Sequence, residues 1–199
     1  MRAHRLDCPA EGETGKKDEK GFAKELLDSR SIILSDAISE ELARGIYAQL
    51  VVLNDRDPKA PITFYINSPG GDADSGFGIH DMMRFIEAPI HSLVCGLCAS
   101  AAVPVFLGAD KGKNYALPNA RFLLHQPSTG VRGDASDIQI TADEIEKTRD
   151  RYNRIVSEFT RKKPEQIAKD ADRDFWLSAE EAKAYGLVSA IVTKRAEIQ

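Results

Sequence analysis

Cysteine is scarce in this sequence, which has three among 199 residues, and there is a single tryptophan. Three cysteines in a chain of this size do not make the disulfide framework of a small secreted protein. No apolar signal segment occurs near the N-terminus, so we expect a cytoplasmic protein in a reducing compartment. An excess of basic residues is also missing, because 27 lysines and arginines face 31 acidic residues. Phosphate binding needs a basic face, so we expect no nucleic-acid partner.

Long apolar runs are absent as well. One uncharged stretch, Ser92 to Ala109, has 18 residues, which is the lower limit for a membrane-spanning helix. Gly96, Ser100 and Pro104 interrupt this stretch, and its apolar parts have the pattern of a strand followed by a helix. We therefore predict no membrane segment.

The composition is that of a globular chain with one large core, since 42% of the residues are hydrophobic and 29% are charged. Residues 1–20 carry too little apolar surface to offset the entropy of ordering, so we predict a mobile charged arm there. Residues 21–199 are predicted to form a single domain.

Ser100 lies among small residues between two apolar runs and is the first candidate for chemistry. The pattern predicts a short buried strand from Ile90 to Val94 and a buried helix from Val103 to Leu107. The serine therefore falls near a helix N-terminus. As an N-cap it would bond a free backbone N–H, whereas as a nucleophile it would use the same amides to stabilise an oxyanion. Both alternatives are open at this point.

A second turn of interest is Ser68-Pro69-Gly70-Gly71-Asp72, which follows a β-branched and aromatic strand over residues 62–67. Paired glycines permit positive φ and leave backbone N–H groups uncovered, so this turn could direct amides at a ligand oxygen. The alternative is a tight connection to the helix predicted from Ser75 to Glu87. Two successive strand–turn–helix units indicate βαβ crossovers.

His125 is the histidine best placed for catalysis, because a predicted strand from Arg121 to Leu124 carries it into a loop. A serine hydrolase needs a base beside its nucleophile and a carboxylate that orients the base. The sequence leaves Asp170, Asp172 and Asp174 as alternatives for that carboxylate.

Capping residues mark several predicted helix ends. Ser39 precedes a helix that runs to Asn54, and Ser178 opens a capping-box helix that Gly186 closes. Pro164 has the position of a first helical turn. A shorter helix is predicted to begin at Phe22.

A long helix is predicted from about Ala135 to Arg161, after an extended segment from Gln126 to Gly133. Its apolar residues, among them Ile145 and Tyr152, form one narrow stripe with charged flanks. This pattern favours packing against another subunit.

Two metal or redox motifs are considered and set aside. Cys95-Gly96-Leu97-Cys98 is a C-x-x-C motif, which we interpret as two small buried residues at a tight turn rather than a redox or zinc site. Asp72-Ala73-Asp74-Ser75-Gly76 resembles the start of a calcium loop, but its glycine comes one place early and Met83 stands where the glutamate should be. We therefore predict no metal site.

Several motifs follow one another along the chain. They are Tyr65-Ile66-Asn67-Ser68-Pro69-Gly70-Gly71, Ala99-Ser100, Leu117-Pro118-Asn119-Ala120-Arg121, His125-Gln126-Pro127, Asp172-Arg173-Asp174, Leu177-Ser178-Ala179-Glu180-Glu181-Ala182 and Tyr185-Gly186-Leu187-Val188. Over about residues 22–193 this ordered set resembles the proteolytic subunit of the Clp protease, the ClpP family. Each motif alone is weak, but their common order makes the resemblance specific.

The resemblance implies an α/β fold of the ClpP/crotonase kind, with stacked βαβ units and a protruding handle helix. It implies a serine endopeptidase in which Ser100 is the nucleophile, His125 the general base and Asp174 the carboxylate that orients the base. Gly71 and Ala101 match the positions whose backbone amides form the oxyanion hole. This chemistry needs no metal or organic cofactor.

The resemblance also implies partners. Polypeptides are the expected substrates, and the chain is expected to form a homo-oligomer of two stacked heptameric rings, interlocked by the handle. Asp172 and Arg173 match residues that link the ring–ring contact to the state of the active site. A Clp-type ATP-dependent unfoldase is the expected external partner.

Three features depart from the family pattern. Ala101-Ala102 stands where the family usually has Met-Gly, Pro104 lies in the first turns of the following helix, and the charged arm before Gly21 has no apolar gate segment. Two alternative functions stay open. One is a structural subunit of a mixed ring with a sister ClpP subunit, and the other is a crotonase-like acyl-CoA enzyme, whose fold also uses two backbone amides as an oxyanion hole.

Overall fold

The computed structural model describes residues 14–128 and 130–198. Within these residues the helices are α1 Thr14–Asp28, α2 Glu40–Arg56, α3 Ala73–Phe85, α4 Ala102–Phe106, α5 Ala135–Thr160, α6 Pro164–Asp170 and α7 Ala179–Tyr185, with a final 3₁₀ turn at Arg195–Glu197. The strands are β1 Ser31–Leu34, β2 Ile62–Ser68, β3 Ile90–Ala99, β4 Asn114–Ala116, β5 Arg121–Leu124, β6 Phe175–Ser178 and β7 Ala190–Ile191.

The strands form one sheet, in the order β1-β2-β3-β4-β7, and β5 and β6 extend it from the far half of β3. All pairings in the main path are parallel, as the predicted βαβ units require, and only β5 and β6 run antiparallel. The first half of β3 pairs with β4, and its second half pairs with β5. Strand β3 therefore joins the two parts of the sheet and ends at the candidate nucleophile.

The length of β3 corrects the prediction that this strand ends at Val94. Leu97, Cys98 and Ala99 continue the strand because they pair with Arg121, Phe122 and Leu123 of β5. The C-x-x-C motif is consequently part of a strand and not of a tight turn. Only Cys98 is buried, whereas Cys95 is exposed, and both thiols are free.

The predicted helix ends are confirmed where a side chain caps them. The Leu42 N–H donates to the Ser39 Oγ at the start of α2, over 3.2 Å. Ser178 and Glu181 form the predicted capping box of α7, and Gly186 ends that helix in the left-handed conformation with a φ of 101°. Pro164 occupies the first position of α6.

The N-terminal helix starts earlier than predicted. Helix α1 begins at Thr14 and not at Phe22, so the expectation that residues 1–20 have no structure is wrong for the part from Thr14 onward. Lysine and glutamate are good helix formers, so a charged segment can continue a helix without an apolar face. Residues 1–13, with the remainder of the predicted arm, lie outside the described residues.

The apolar stripe of α5 packs mainly on the chain's own core. Tyr152 and Val156 are buried, and Ile155 and Phe159 pack against the same core. Ile138, in the first half of the stripe, is 42% exposed. The prediction of packing against another subunit therefore does not hold for the second half of the stripe.

None of the helices in the described residues is long and apolar enough to cross a membrane. The uncharged stretch 92–109 forms most of β3, the turn after it and α4. Its members Ala102, Val103 and Phe106 are fully buried in the core.

Arg30 stabilises the connection between α2 and β2. Its guanidinium donates to the carbonyl oxygens of Leu53, Asp57, Ala60 and Pro61 over 2.8–3.2 Å. We expect Arg30→Ala to lower the free energy of unfolding by about 2 kcal/mol, because carbonyls at the end of α2 and in the loop after it lose a charged donor together. Urea unfolding at fixed protein concentration measures this change.

Arg56 provides the control for that prediction. It forms one ion pair with Asp28, over 2.9 Å, and both side chains are about half exposed. Arg56→Ala should cost less than about 1 kcal/mol, because solvent screens such pairs. Equal losses in the two variants would show that the four carbonyl contacts of Arg30 add no more stability than one exposed ion pair.

Candidate active site

Ser100 lies in a sharp turn between β3 and α4. Its φ is 55°, in the left-handed region that non-glycine residues seldom adopt. Two backbone hydrogen bonds hold the turn, from the Ser100 N–H to the Leu123 oxygen and from the Val103 N–H to the Ser100 oxygen, each over 2.9 Å. A serine on such a strand-to-helix turn has the geometry of a nucleophile elbow.

The N-cap alternative for Ser100 is not supported. The N-cap of α4 is Ala101, whose methyl side chain cannot make a capping hydrogen bond. Ala101 has φ −59° and ψ −16°, so the Ala101-Ala102 sequence fits this helix start without the glycine that the family usually has. Pro104 is the third residue of α4, where a missing N–H removes no intrahelical bond.

The Gly70-Gly71 turn packs directly against the Ser100 turn. A Cβ on Gly70 would come within 2.5 Å of the Ala99 oxygen, 2.7 Å of the Ser100 Cβ and 2.9 Å of the Ala101 nitrogen. The φ of Gly70 is 88°, which also favours glycine. Any side chain at this position would push the two turns apart.

Ile38 holds the second glycine of this turn. The Ile38 N–H donates to the Gly70 oxygen over 2.8 Å, and the Asp72 N–H donates to the Ile38 oxygen over 2.9 Å. Gly71, with a φ of 146°, lies between these two bonds and has no room for a Cβ beside the Ile38 backbone. In the described turns, neither the Gly71 nor the Ala101 N–H donates to a backbone carbonyl. Both amides remain available to a ligand oxygen.

His125 follows β5, and its Nδ1 lies 3.4 Å from the Oδ1 of Asp174. The loop that carries Asp174 is held by Gln126, whose N–H donates to the Ala171 oxygen and whose Nε2 donates to the Asp172 oxygen, each over 3.0 Å. The structure thus pairs Asp174 with the histidine, and among the described residues neither Asp170 nor Asp172 forms an ion pair with it.

Asp170 and Asp172 have other surroundings. The Tyr185 hydroxyl donates to Asp170 over 2.7 Å, which holds Asp170 at the end of α6. Asp172 and Arg173 line a shallow depression that adjoins His125. Among the described residues, no group of three or more histidine, cysteine or acidic side chains is placed to hold a metal ion.

One cleft of about 450 Å³ contains Gly71, Ser100, Ala101 and His125. Its remaining walls are mainly apolar and are formed by Pro69, Asp72, Ala73, Phe77, Pro104, Pro127, Ser128, Ile145, Thr148 and Tyr152. Sequence reasoning did not assign the wall residues of α3 and α5 to the site. The apolar stripe of α5 is the available signal, but its pattern predicts a contact with another subunit.

Arg151 connects the two helices that form the apolar wall. Its guanidinium donates to the Asp74 carboxylate at the start of α3 over 3.1 Å and lies 4.9 Å from the centre of the Phe77 ring. This contact between α5 and α3 backs the aromatic wall of the cleft.

The cysteines do not offer a competing nucleophile in the described residues. Burial raises the pKa of the Cys98 thiol, and the partial desolvation of the Cys95 thiol raises its pKa as well, despite a hydrogen bond from the Ile66 backbone. Both thiols are therefore protonated at neutral pH, which argues against the redox interpretation of this motif.

A serine on a left-handed turn, two available amides and a histidine paired with a carboxylate share one cleft of a parallel α/β sheet. This arrangement defines the chain as a serine hydrolase. A sequence model described as Clp protease matches residues 14–195. The chain belongs to the Clp protease family.

The relatives agree over nearly the whole chain. ATP-dependent Clp protease proteolytic subunit 2 of Treponema pallidum is 43% identical over 196 residues, which are 97% of this chain and 98% of the relative. Proteolytic subunit 3 of Rhizobium meliloti is 50% identical over 190 residues, or 92% of this chain and 95% of the relative. The solved structure of a ClpP1 point mutant from Listeria monocytogenes is 39% identical, with a TM-score of 0.83 over 89% of this chain and 99% of that chain.

These findings confirm the predicted family, the predicted α/β fold and the serine-peptidase class. The family assignment also favours peptide hydrolysis over the crotonase-like acyl-CoA alternative, although the two folds share an oxyanion-hole design.

Proposed function

We propose that this chain cleaves polypeptides with Ser100 as the nucleophile, His125 as the general base and Asp174 as the residue that orients His125. The observation that carries the proposal is the packing of the Gly70-Gly71 turn on the Ser100 turn, within the same cleft as His125. This packing puts available backbone amides beside a serine on an elbow.

The proposed reaction begins when the Ser100 Oγ attacks the peptide carbonyl and His125 takes its proton at Nε2. The Gly71 and Ala101 amides donate to the oxyanion that develops on the carbonyl oxygen. His125 then returns the proton to the leaving amine, which leaves an acyl group on Ser100. A water molecule, activated by His125, hydrolyses this ester and restores the serine.

An extended polypeptide suits the cleft. Pro127 and Ser128 follow His125 without helix or strand pairing and line the cleft. Backbone pairing with such a segment would bind a substrate strand largely independently of its sequence. Substrates are therefore proposed to be unfolded polypeptides.

Assembly into two stacked heptameric rings is proposed from the family, and the surface supports association. Phe85 is 81% exposed at the end of α3, and Ile33, Val51 and Val52 are exposed as well. Asp172 and Arg173 are proposed to couple the ring–ring contact to His125 through the loop that carries Asp174. A Clp-type ATPase is proposed as the unfoldase, in a cytoplasmic location.

A sister subunit in a mixed ring is the second proposed arrangement. The relatives described above are named proteolytic subunits 2 and 3, which favours this possibility. Size analysis of the purified chain, followed by a peptidase assay, separates the two arrangements. An active homogeneous ring would rule out an obligate sister subunit.

The direct test of the proposed function is labelling by a fluorophosphonate serine-hydrolase probe. We expect the assembled protein to be labelled once per chain, with the adduct at Ser100 in peptide mass spectrometry, because only an activated serine reacts. Ser100→Ala should remove the label. An unlabelled wild-type ring, or a label that persists in Ser100→Ala, would contradict the proposal.

A further inference from the structure

The substrate cleft is nearly free of permanently charged side chains. Among the described residues that line it, Asp72 is the only acidic residue, and there is no lysine or arginine. The other walls are apolar or neutral, apart from the proposed base His125. A carboxylate that faces a cleft without lysine or arginine favours a cationic ligand group, because opposite charges attract and no cationic side chain of the lining competes for it.

The Asp72 carboxylate has free capacity for a ligand. Its Oδ1 accepts the Ser75 N–H over 2.7 Å as the N-cap of α3, and Asp72 forms no ion pair with any residue in 14–128 or 130–198. Arg151, the cation bound at the start of the same helix, is held by Asp74 and lies over the Phe77 ring. The charge of Asp72 is therefore left for a group that enters the cleft.

Lysine and arginine side chains match both the apolar walls of this cleft and the Asp72 carboxylate. Their methylene stems pack on apolar surface while the charged head reaches a polar partner. Phe77, Ile145 and Tyr152 offer the apolar surface, and Asp72, which is exposed at the cleft, offers the partner. An acidic side chain in the same position would be repelled.

We infer that Asp72 is a specificity-determining residue, which favours lysine or arginine at the substrate position that supplies the attacked carbonyl. The inference rests on the proposed function, since it concerns the substrate of that same cleft. A charge-assisted contact of this kind should raise kcat/KM about tenfold over a neutral side chain of equal length.

The test compares two fluorogenic peptides that differ only at the residue before the cleaved bond. One carries lysine and the other norleucine, which has the same unbranched stem without the ammonium group. For the assembled wild-type protein we expect a lysine preference of about tenfold in kcat/KM. The preference should fall as salt is added, because salt screens exposed charges.

The variant Asp72→Asn tests the role of the charge. Asparagine also caps helices well, so α3 keeps its cap while the cleft loses its charge. The lysine-to-norleucine ratio should fall to about one. Using the ratio cancels any effect that is common to both peptides, such as a change in the field at the oxyanion. Asp81→Asn is the control, since it removes the same charge from α3 at an exposed residue outside the cleft.

The outcomes separate this inference from the proposed function. Equal cleavage of the two peptides by wild type, or a lysine preference that survives in Asp72→Asn, overturns the inference alone. Loss of the preference in Asp81→Asn also overturns it, because the effect would then reflect net charge and not the cleft. Failure to cleave either peptide overturns the proposed function and the inference with it.

Discussion

Asparagine in place of Asp174 is expected to lower kcat for peptide hydrolysis by about 10³-fold or more. The Asp174 Oδ1 lies 3.4 Å from the His125 Nδ1, which is the contact that would fix the histidine tautomer with Nε2 free to accept a proton. An amide keeps the shape of the side chain but not its charge, so it neither selects this tautomer nor stabilises the imidazolium. The measurement is kcat for a fluorogenic peptide, on protein of confirmed oligomeric state.

Asp170→Asn is the matched control for this prediction. Asp170 accepts hydrogen bonds from the Tyr185 hydroxyl over 2.7 Å and from the Gln166 Nε2 over 2.6 Å, and it does not line the cleft. Its replacement should leave kcat within about twofold, because these contacts hold α6 and α7 and not the histidine. A similar loss of activity in both variants would show that Asp174 acts only through the stability of the loop.

The aspartates of this segment show which part of the site can be predicted from the sequence. Asp170, Asp172 and Asp174 lie in one short polar segment, and residue type alone does not distinguish them. The family resemblance selected Asp174 by its motif. The structure brings it to His125 because the Gln126 backbone and side chain bind the segment at the Ala171 and Asp172 oxygens. That long-range pairing leaves no local pattern.

Local signals predicted much of the fold correctly. Ser39, Ser178 and Gly186 act within one turn of their own helix ends, so their effect is visible in a few neighbouring residues. The extension of β3 beyond Val94 is not predicted, because it depends on residues that are distant in the sequence. Gly96 interrupts the apolar pattern there, and only pairing with β5 continues the strand.

The walls of the cleft could be predicted only in part. The sequence predicts the two helices that carry Phe77 and Tyr152, but periodicity does not say what an apolar face packs against. Their meeting in one cleft depends on how α3 and α5 cross and on the Arg151 contact between them. The sequence predicts the Gly70-Gly71 turn and the Ser100 turn separately, and no local pattern indicates that the two turns pack against each other.

That close approach makes Gly70→Ala a damaging substitution at the site. The new Cβ would lie 2.5 Å from the Ala99 oxygen and 2.7 Å from the Ser100 Cβ, so the two turns must separate. Overpacking and the φ of 88° together should lower the free energy of unfolding by about 2–4 kcal/mol. Peptide hydrolysis should fall at least about 10²-fold, because displacement of an oxyanion donor or of the nucleophile costs that much.

Gly112→Ala separates the two causes of this expected loss. Gly112 has a φ of 87°, almost the same as Gly70, but among the described residues, apart from its two chain neighbours, no atom lies within 4 Å of the position that its Cβ would take. Its replacement should therefore cost only the strain of a left-handed alanine, about 1 kcal/mol, and leave kcat unchanged. Urea unfolding at equal protein concentration and kcat for one peptide compare the variants. If Gly70→Ala behaved like Gly112→Ala in both measurements, backbone conformation alone would explain Gly70. The tight contact between its turn and the Ser100 turn would then have no part in holding the Gly71 and Ala101 amides beside the serine.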